Sequence, residues 1–366
     1  MSKKERLFQA AIYLYFVLLC VLSATTPITP AEAKILYSGT YSLSGYLAIA
    51  SHSMIPGIFG YRIFSLLSGF VALLLFRELS RGYFRHEDDY RLSVIVYMLL
   101  PGVIASAVLI NDGVFALLCT MIFVYAHERK MFFLQVLAMT VLLFTDTAAF
   151  SFYFALALYA YKKKKFPLFW FSLLLFIVSV CFGHFGFEGK PRGHLVELFG
   201  VYAALFSPLF FVYFFYAVYR VMLNGPRDLY WYLASVPFIV SLLLSIRQKI
   251  LITDFGPYLL IGVLVSVSVF SGSLRVRMKS FQRPYRIAKN TVLFFLVLSG
   301  LVTVAHRPLY RVMGDPRAFF ASALYEPYDL ALKLRTENRR CFRSDEIRRG
   351  DKYLYVMRFY GFEKCR

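Results

Sequence analysis

The sequence predicts an all-α, polytopic transmembrane protein with about eleven spans and a small extracytoplasmic C-terminal tail. Two observations predict this class. Of the 366 residues, 59% are hydrophobic and only 17% are charged, whereas soluble domains are roughly 45–50% apolar and about 25% charged. The mean hydropathy is +0.61, and the apolar residues form runs of membrane-spanning length.

The predicted spans follow one another along most of the chain. They are residues 7–24, 58–76, 92–110, 113–127, 131–144, 148–161, 166–183, 198–223, 230–246, 256–273 and 291–305. The fifth and sixth runs are shorter than the roughly 20 residues of a full span, which predicts tilted or partly re-entrant helices. Residues 1–305 are therefore the predicted transmembrane domain, and residues 306–366 the predicted tail. Between the first two spans, residues 46–52 predict a short amphipathic helix at the membrane interface.

The distribution of lysine and arginine among the connections predicts the orientation of the chain in the membrane. Alternate connections carry most of these residues, and they include residues 3–6, 77–85, 129–130, 162–165, 220–227 and 275–289. The positive-inside rule places these connections in the cytoplasm, with the N-terminus inside and the tail outside. The net charge of +20 is then explained by topology and by attraction to anionic lipid headgroups. No RNA- or DNA-binding module is apparent, so nucleic acid is not an expected partner.

This orientation collects most of the remaining polar groups on the outer side. Glu32 and Asp112 are candidates for a general base, or for a pair of ligands to a divalent metal such as Mg or Mn. The simpler interpretations are a solvated acid for Glu32 and a helix-capping turn for Asn111 and Asp112. The same capping interpretation applies to Asp146.

Two cations and the polar loop of residues 184–197 complete the outer group. Arg247 and Lys249 suit a lipid-linked phosphate, and the alternative is snorkelling to phospholipid headgroups. His194 belongs to a polar loop, residues 184–197, whose spacing matches no zinc motif. An exposed polar loop is the simpler interpretation there.

The five cysteines fall into two groups. Three lie in apolar runs and predict ordinary buried residues. Cys341 and Cys365 lie in the polar tail, and a disulfide between them is plausible if the tail is outside the cytoplasm.

The order of these features resembles the GT-C superfamily of membrane glycosyltransferases. It is most similar to the bacterial relatives of protein O-mannosyltransferases and of the aminoarabinose transferase that modifies lipid A. Four segments carry the resemblance: residues 29–37 with Glu32, residues 60–65 with Arg62, residues 100–118 with Asn111 and Asp112, and residues 247–260 with Tyr258.

The resemblance implies an enzyme of the bacterial inner (plasma) membrane. It would transfer a sugar from a polyprenyl-phosphate donor to a lipid, glycan or protein acceptor outside the cytoplasm. Glu32 and Asp112 would be catalytic, while Arg247, Lys249 and Tyr258 would bind the donor phosphate. The first acid of the family motif is replaced by Ala31, so Glu32 either takes over its role or activity is altered or lost. A polar-lipid transporter or flippase and a non-catalytic membrane assembly partner are the alternatives.

Overall fold

The computed structural model describes residues 3–38, 42–145, 148–182, 193–312, 320–339, 341–343 and 353–365. These residues are almost entirely helical, as the sequence predicts. The helices are α1 (Lys3–Thr25), α2 (Pro30–Tyr37), α3 (Leu43–Met54), α4 (Ile58–Tyr83), α5 (Glu87–Leu99), α6 (Pro101–Val108), α7 (Gly113–Glu128), α8 (Phe132–Thr145), α9 (Ala149–Lys162), α10 (Phe166–Phe182), α11 (Leu195–Phe206), α12 (Pro208–Asn224), α13 (Leu229–Ser245), α14 (Ile252–Leu259), α15 (Gly262–Val276), α16 (Gln282–Val304), α17 (His306–Val312), α18 (Ser322–Thr336) and α19 (Leu354–Phe359). Two short strands, β1 (Cys341–Phe342) and β2 (Glu363–Lys364), pair in parallel.

Several helices are compatible with an integral membrane protein. Within the described residues, α1, α4 and α16 are individually long and apolar enough to cross a membrane, and three bent helix pairs raise the number of candidate spans to six. Shorter apolar helices, α7, α8, α10 and α13, lie between them. The count of eleven spans stays a prediction, because length and composition alone do not assign the short helices.

Proline divides two of the predicted spans into bent helix pairs. The run 92–110 is divided into α5 and α6 with a bend of 58°, and the run 198–223 into α11 and α12 with a bend of 104°. Pro101 and Pro208 begin the second helix of each pair. Proline has no N–H for the preceding turn and disfavours helical backbone in the residue before it. Ser207 accordingly leaves the helical region, with φ 75° and ψ 139°.

The chain divides into two compact units, each assembled from three stretches. The large unit contains Met1–Phe8, Ser68–Ser106 and Asp112–Gly300, and the small unit contains Gln9–Leu67, Ala107–Asn111 and Leu301–Arg366. The tail therefore belongs to the same unit as the connection that follows the first span. In the large unit, α9 packs against α10 and α13, while α15 packs against α5 and α12.

The core of the small unit joins the two ends of the chain. Its buried members from the segment after α1 are Ile28, Ala33, Leu36 and Ala48, and those from the tail are Ala331, Leu334, Phe342, Tyr353, Val356, Met357 and Phe362. The ring of Phe359 in α19 lies edge-on to Tyr37 and Tyr61, with centroids 6.4 and 6.0 Å away. Because apolar burial is the main favourable term in folding, the tail is an integral part of this unit.

Candidate functional site

Helix α2 begins with a capping box, and Glu32 is its third residue. The Thr29 hydroxyl accepts a hydrogen bond from the Glu32 amide at 3.1 Å, and the Thr29 amide donates to Glu32 Oε2 at 2.8 Å. Pro30 occupies the first helical turn, where its missing N–H is not needed. This reciprocal pairing fixes both the start of α2 and the direction of the Glu32 carboxylate.

Arg62 of α4 forms a buried ion pair with Glu32. Its Nε donates to Oε1 at 2.8 Å and one terminal nitrogen donates to Oε2 at 2.7 Å. The other guanidinium N–H groups donate to the carbonyl oxygens of Ser23, Thr26 and Pro27, at 2.9, 2.7 and 2.9 Å. All five N–H donors of Arg62 are therefore used, and both side chains are 1% exposed.

A fourth donor completes the surroundings of Glu32. The Ile110 amide donates to Oε1 at 2.9 Å, so each carboxylate oxygen accepts two hydrogen bonds from the protein. A divalent metal at Glu32 would have to displace Arg62 or a backbone amide, so the geometry does not fit a metal there. Among the described residues, no group of three or more His, Cys, Asp or Glu side chains could hold a metal ion.

In the large unit, polar residues gather where α13 ends and α11 and α14 begin. The His194 amide donates to the Ser245 carbonyl at 2.9 Å, which ties the start of α11 to the end of α13. Glu197 then lies 3.2 Å from the Lys249 ammonium and 3.5 Å from His194 Nδ1. Lys249 and Arg247 are both exposed. This part of the chain thus presents two cations to its surroundings, one of them held by a carboxylate.

Two acids lie at the starts of α7 and α14, which pack against each other. Asp112 occupies the N-cap position of α7, but its side chain makes no capping hydrogen bond. Asp254 is in the first turn of α14, accepts a hydrogen bond from the Thr253 hydroxyl at 3.2 Å, and interacts electrostatically with Asp112. Since α14 also packs against α11 and α13, the two acids belong to the same end of the unit as Lys249.

Sequence reasoning assigned no role to Asp254. Its signal is a single acid in the mainly apolar segment 250–255, five residues after Lys249. An isolated acid in such a run indicates a functional or structural partner.

The other predicted site residues lie in varied surroundings. Tyr258 is fully buried, with its ring 5.7 Å from that of Phe152. The side-chain amide of Asn111 donates to the Leu109 carbonyl at 2.7 Å in the small unit. Cys341 and Cys365 are bonded, with their sulfur atoms 2.00 Å apart. Asp146 lies outside the described residues. Glu32 and Asp112 belong to different units, and their shared role stays a prediction.

Comparison with known proteins adds no family to this picture. No protein-family model matches the sequence, and no curated protein matches it at a significant level. The likeness to membrane glycosyltransferases therefore continues to rest on the order of the motifs in the sequence.

Proposed function

We propose that this protein is an integral-membrane glycosyltransferase of the GT-C type. It transfers a sugar from a polyprenyl-phosphate-linked donor to a lipid, glycan or protein acceptor on the extracytoplasmic side of a bacterial inner membrane. The observation that carries the proposal is the arrangement in the large unit, where the acids Asp112 and Asp254 and the exposed cations Arg247 and Lys249 lie at the ends of α7, α11, α13 and α14. The distribution of basic residues supports a cytoplasmic N-terminus and an eleven-span topology.

The two cations suit the leaving group. When the sugar is transferred, the bond between the anomeric carbon and the phosphate oxygen breaks, and the polyprenyl phosphate leaves with the electron pair. Fixed cations stabilise the charge that develops on that phosphate. Arg247 provides a planar guanidinium suited to two-point phosphate binding, and Lys249 is held in position by Glu197.

The two acids suit the acceptor. As the acceptor oxygen bonds to the anomeric carbon, its hydroxyl proton must move to a base. Asp112 is the proposed base, and Asp254, which sequence reasoning missed, is the proposed second acid beside it. The catalytic role predicted for Glu32 stays a prediction. Its four protein donors support a positioning role, in which it fixes the start of α2 against α4.

The proposal is tested by transfer assays on the full-length protein in vesicles. Radiolabelled polyprenyl-phosphate hexoses and pentoses are the donors, and a membrane extract supplies acceptors. We expect Asp112→Asn and Asp254→Asn each to lower the transfer rate about 10²-fold or more. Arg247→Gln combined with Lys249→Gln should lower it by roughly 10²–10³-fold. Lys162 is an exposed cation at the C-terminal end of α9 and is not one of the proposed site residues. Lys162→Gln is therefore the matched control and should leave the transfer rate unchanged. Wild-type rates in all three site variants, or no transfer from any donor by a folded protein, would refute the proposal.

One observation favours a second candidate, a polar-lipid transporter. Transporters bind substrate at broken transmembrane helices, and the described part of the chain has three bent helix pairs, with bends of 58°, 104° and 41°. The two functions are separated by following the sugar in the same vesicles. A transferase makes a new bond between sugar and acceptor, whereas a transporter moves an intact fluorescent polyprenyl-phosphate sugar between leaflets and leaves it unreacted.

A further inference from the structure

The large unit contains a mostly apolar cavity of about 320 Å³ between α16 and the helices α5, α12 and α15. This volume is at the lower end of the roughly 300–1,000 Å³ that is usual for ligand pockets. Most of its wall is aliphatic or aromatic, with Val96, Phe210, Val267, Val292 and Leu293 among the lining residues. A wall of this kind offers water few hydrogen-bond partners, and it is suited to binding a hydrocarbon chain.

The two ends of the cavity differ in chemistry. Arg220 and Ser273 meet where α12 and α15 end, because a guanidinium nitrogen of Arg220 donates to the Ser273 hydroxyl. The Lys289 ammonium of α16 lies 6.0 Å from the ring of Phe270, which is one turn before Ser273 in α15. Far along α16, a Cβ atom on Gly300 would be only 3.1 Å from the Leu99 carbonyl oxygen, so α16 approaches α5 closely beyond the apolar end.

The charged groups lining the cavity are both positive. Arg220 and Lys289 are its only ionised side chains in the described part of the chain, and neither forms a salt bridge there. On α5, the buried acid Asp89 is already held by Arg275 and by the Ser271 hydroxyl. The polar end therefore has a net charge that an anion would complement.

We infer that this cavity binds one anionic phospholipid, with its phosphate between Arg220 and Lys289 and one acyl chain along the apolar wall. The shape, the apolar lining and the unopposed cations each match one part of such a molecule. Basic pockets between transmembrane helices are suited to anionic headgroups. The positive-inside rule places this end in the cytoplasmic leaflet, where anionic lipids are attracted. The site is separate from the proposed sugar-transfer residues and does not depend on their function.

The test is lipid binding by the full-length protein in detergent, measured by native mass spectrometry. Phosphatidylglycerol is the probe, and phosphatidylcholine is the matched zwitterionic lipid. We expect Arg220→Gln and Lys289→Gln each to weaken phosphatidylglycerol binding about fivefold, and the double variant about 25-fold. Arg283→Gln, an exposed cation on the same helix that does not line the cavity, should leave binding unchanged.

Two further measurements decide the outcome. Ala288→Trp, which fills the cavity beside Lys289, should weaken phosphatidylglycerol binding while both cations remain. Inorganic phosphate at millimolar concentration should not displace the lipid, because it lacks the chain that occupies the apolar wall. Equal loss with Arg283→Gln, equal binding of phosphatidylcholine, or displacement by inorganic phosphate would each overturn the inference. The unfolding temperature of every variant in neutral detergent serves as the folding control.

Discussion

Glu32 and Arg62 form a two-point ion pair, 2.8 and 2.7 Å between nitrogen and oxygen, with both side chains removed from solvent. Breaking a buried pair leaves an uncompensated charge, and the usual cost is about 3–5 kcal/mol. We expect Arg62→Met to destabilise the protein by that amount in a thermal unfolding assay in detergent. The double variant Glu32→Gln/Arg62→Met should lose less than the sum of the two single changes.

The control for this pair is an exposed one. Glu337 directly follows α18 and lies 3.8 Å from Lys333 and 3.5 Å from Arg339, and exposed pairs of this kind contribute at most about 1 kcal/mol each. Glu337→Gln should therefore change the unfolding temperature little. If Arg62→Met lowers the unfolding temperature as little as Glu337→Gln does, the Glu32–Arg62 pair does not stabilise the small unit.

His306 should make stability depend on pH. Burial lowers the pKa of His306, and the charges of Arg62 and Arg307 lower it further, against a hydrogen bond to the Thr303 carbonyl. The unfolded chain then takes up a proton first as the pH falls below about 6.5. The contribution of neutral His306 is present above that pH and is lost as the pH falls towards the folded pKa, by at most about 1.4 kcal/mol per pH unit.

The measurement is the unfolding temperature between pH 7.5 and pH 5, compared with His306→Gln. The wild type should lose more stability than the variant over this range, because only the wild type carries the titrating ring. Identical pH profiles would show that His306 does not couple protonation to folding.

The Cys341–Cys365 disulfide should stabilise the tail. It closes a loop with a sequence separation of 24, for which chain entropy predicts a contribution of about 3.5 kcal/mol. A reductant should lower the unfolding temperature of the wild type but not that of the double serine variant. Maleimide labelling of the denatured protein should modify three cysteines before reduction, namely Cys20, Cys119 and Cys181, and two more afterwards. Labelling of all five without reductant would contradict the bond.

Asp228 should be a stabilising cap of α13. Its carboxylate accepts from the Trp231 amide at 2.9 Å and from the Tyr83 hydroxyl at 2.9 Å. Asp228→Ala removes the cap and leaves the tyrosine hydroxyl without this acceptor, so a loss of roughly 2–3 kcal/mol is expected. Asp228→Asn keeps an oxygen for the cap and should cost less. Equal unfolding temperatures for the two variants would show that the cap contributes nothing.

The helical class was readable from composition and apolar runs, and so was α3, which covers the expected helix at residues 46–52. The break at Ser207 was also available in principle, because Pro208 interrupts the run 198–223. Hydropathy does not predict this break, because it averages over a window of residues and is insensitive to the loss of one backbone N–H. Whether the short helices cross a membrane depends on surroundings that the sequence does not encode locally.

The surroundings of Glu32 were less accessible to sequence reasoning. Thr29 and Glu32 have the spacing of a capping box, a local signal, but the partner of the carboxylate, Arg62, is thirty residues away. The amide of Ile110 is seventy-eight residues away. Such distant partners depend on tertiary packing, and so does the proximity of Asp254 to Asp112.

The discontinuous small unit has a consequence for biosynthesis. A chain emerges from the ribosome N-terminus first, so Ile28, Leu36 and Ala48 are made long before Phe342, Val356 and Met357, which bury them in the finished protein. During that interval the apolar surface formed by these early residues must be shielded from water by lipid or by a chaperone. Nascent chains halted after Gly300 should therefore be held by the insertion machinery or degraded, and release should await synthesis of the last sixty residues or so.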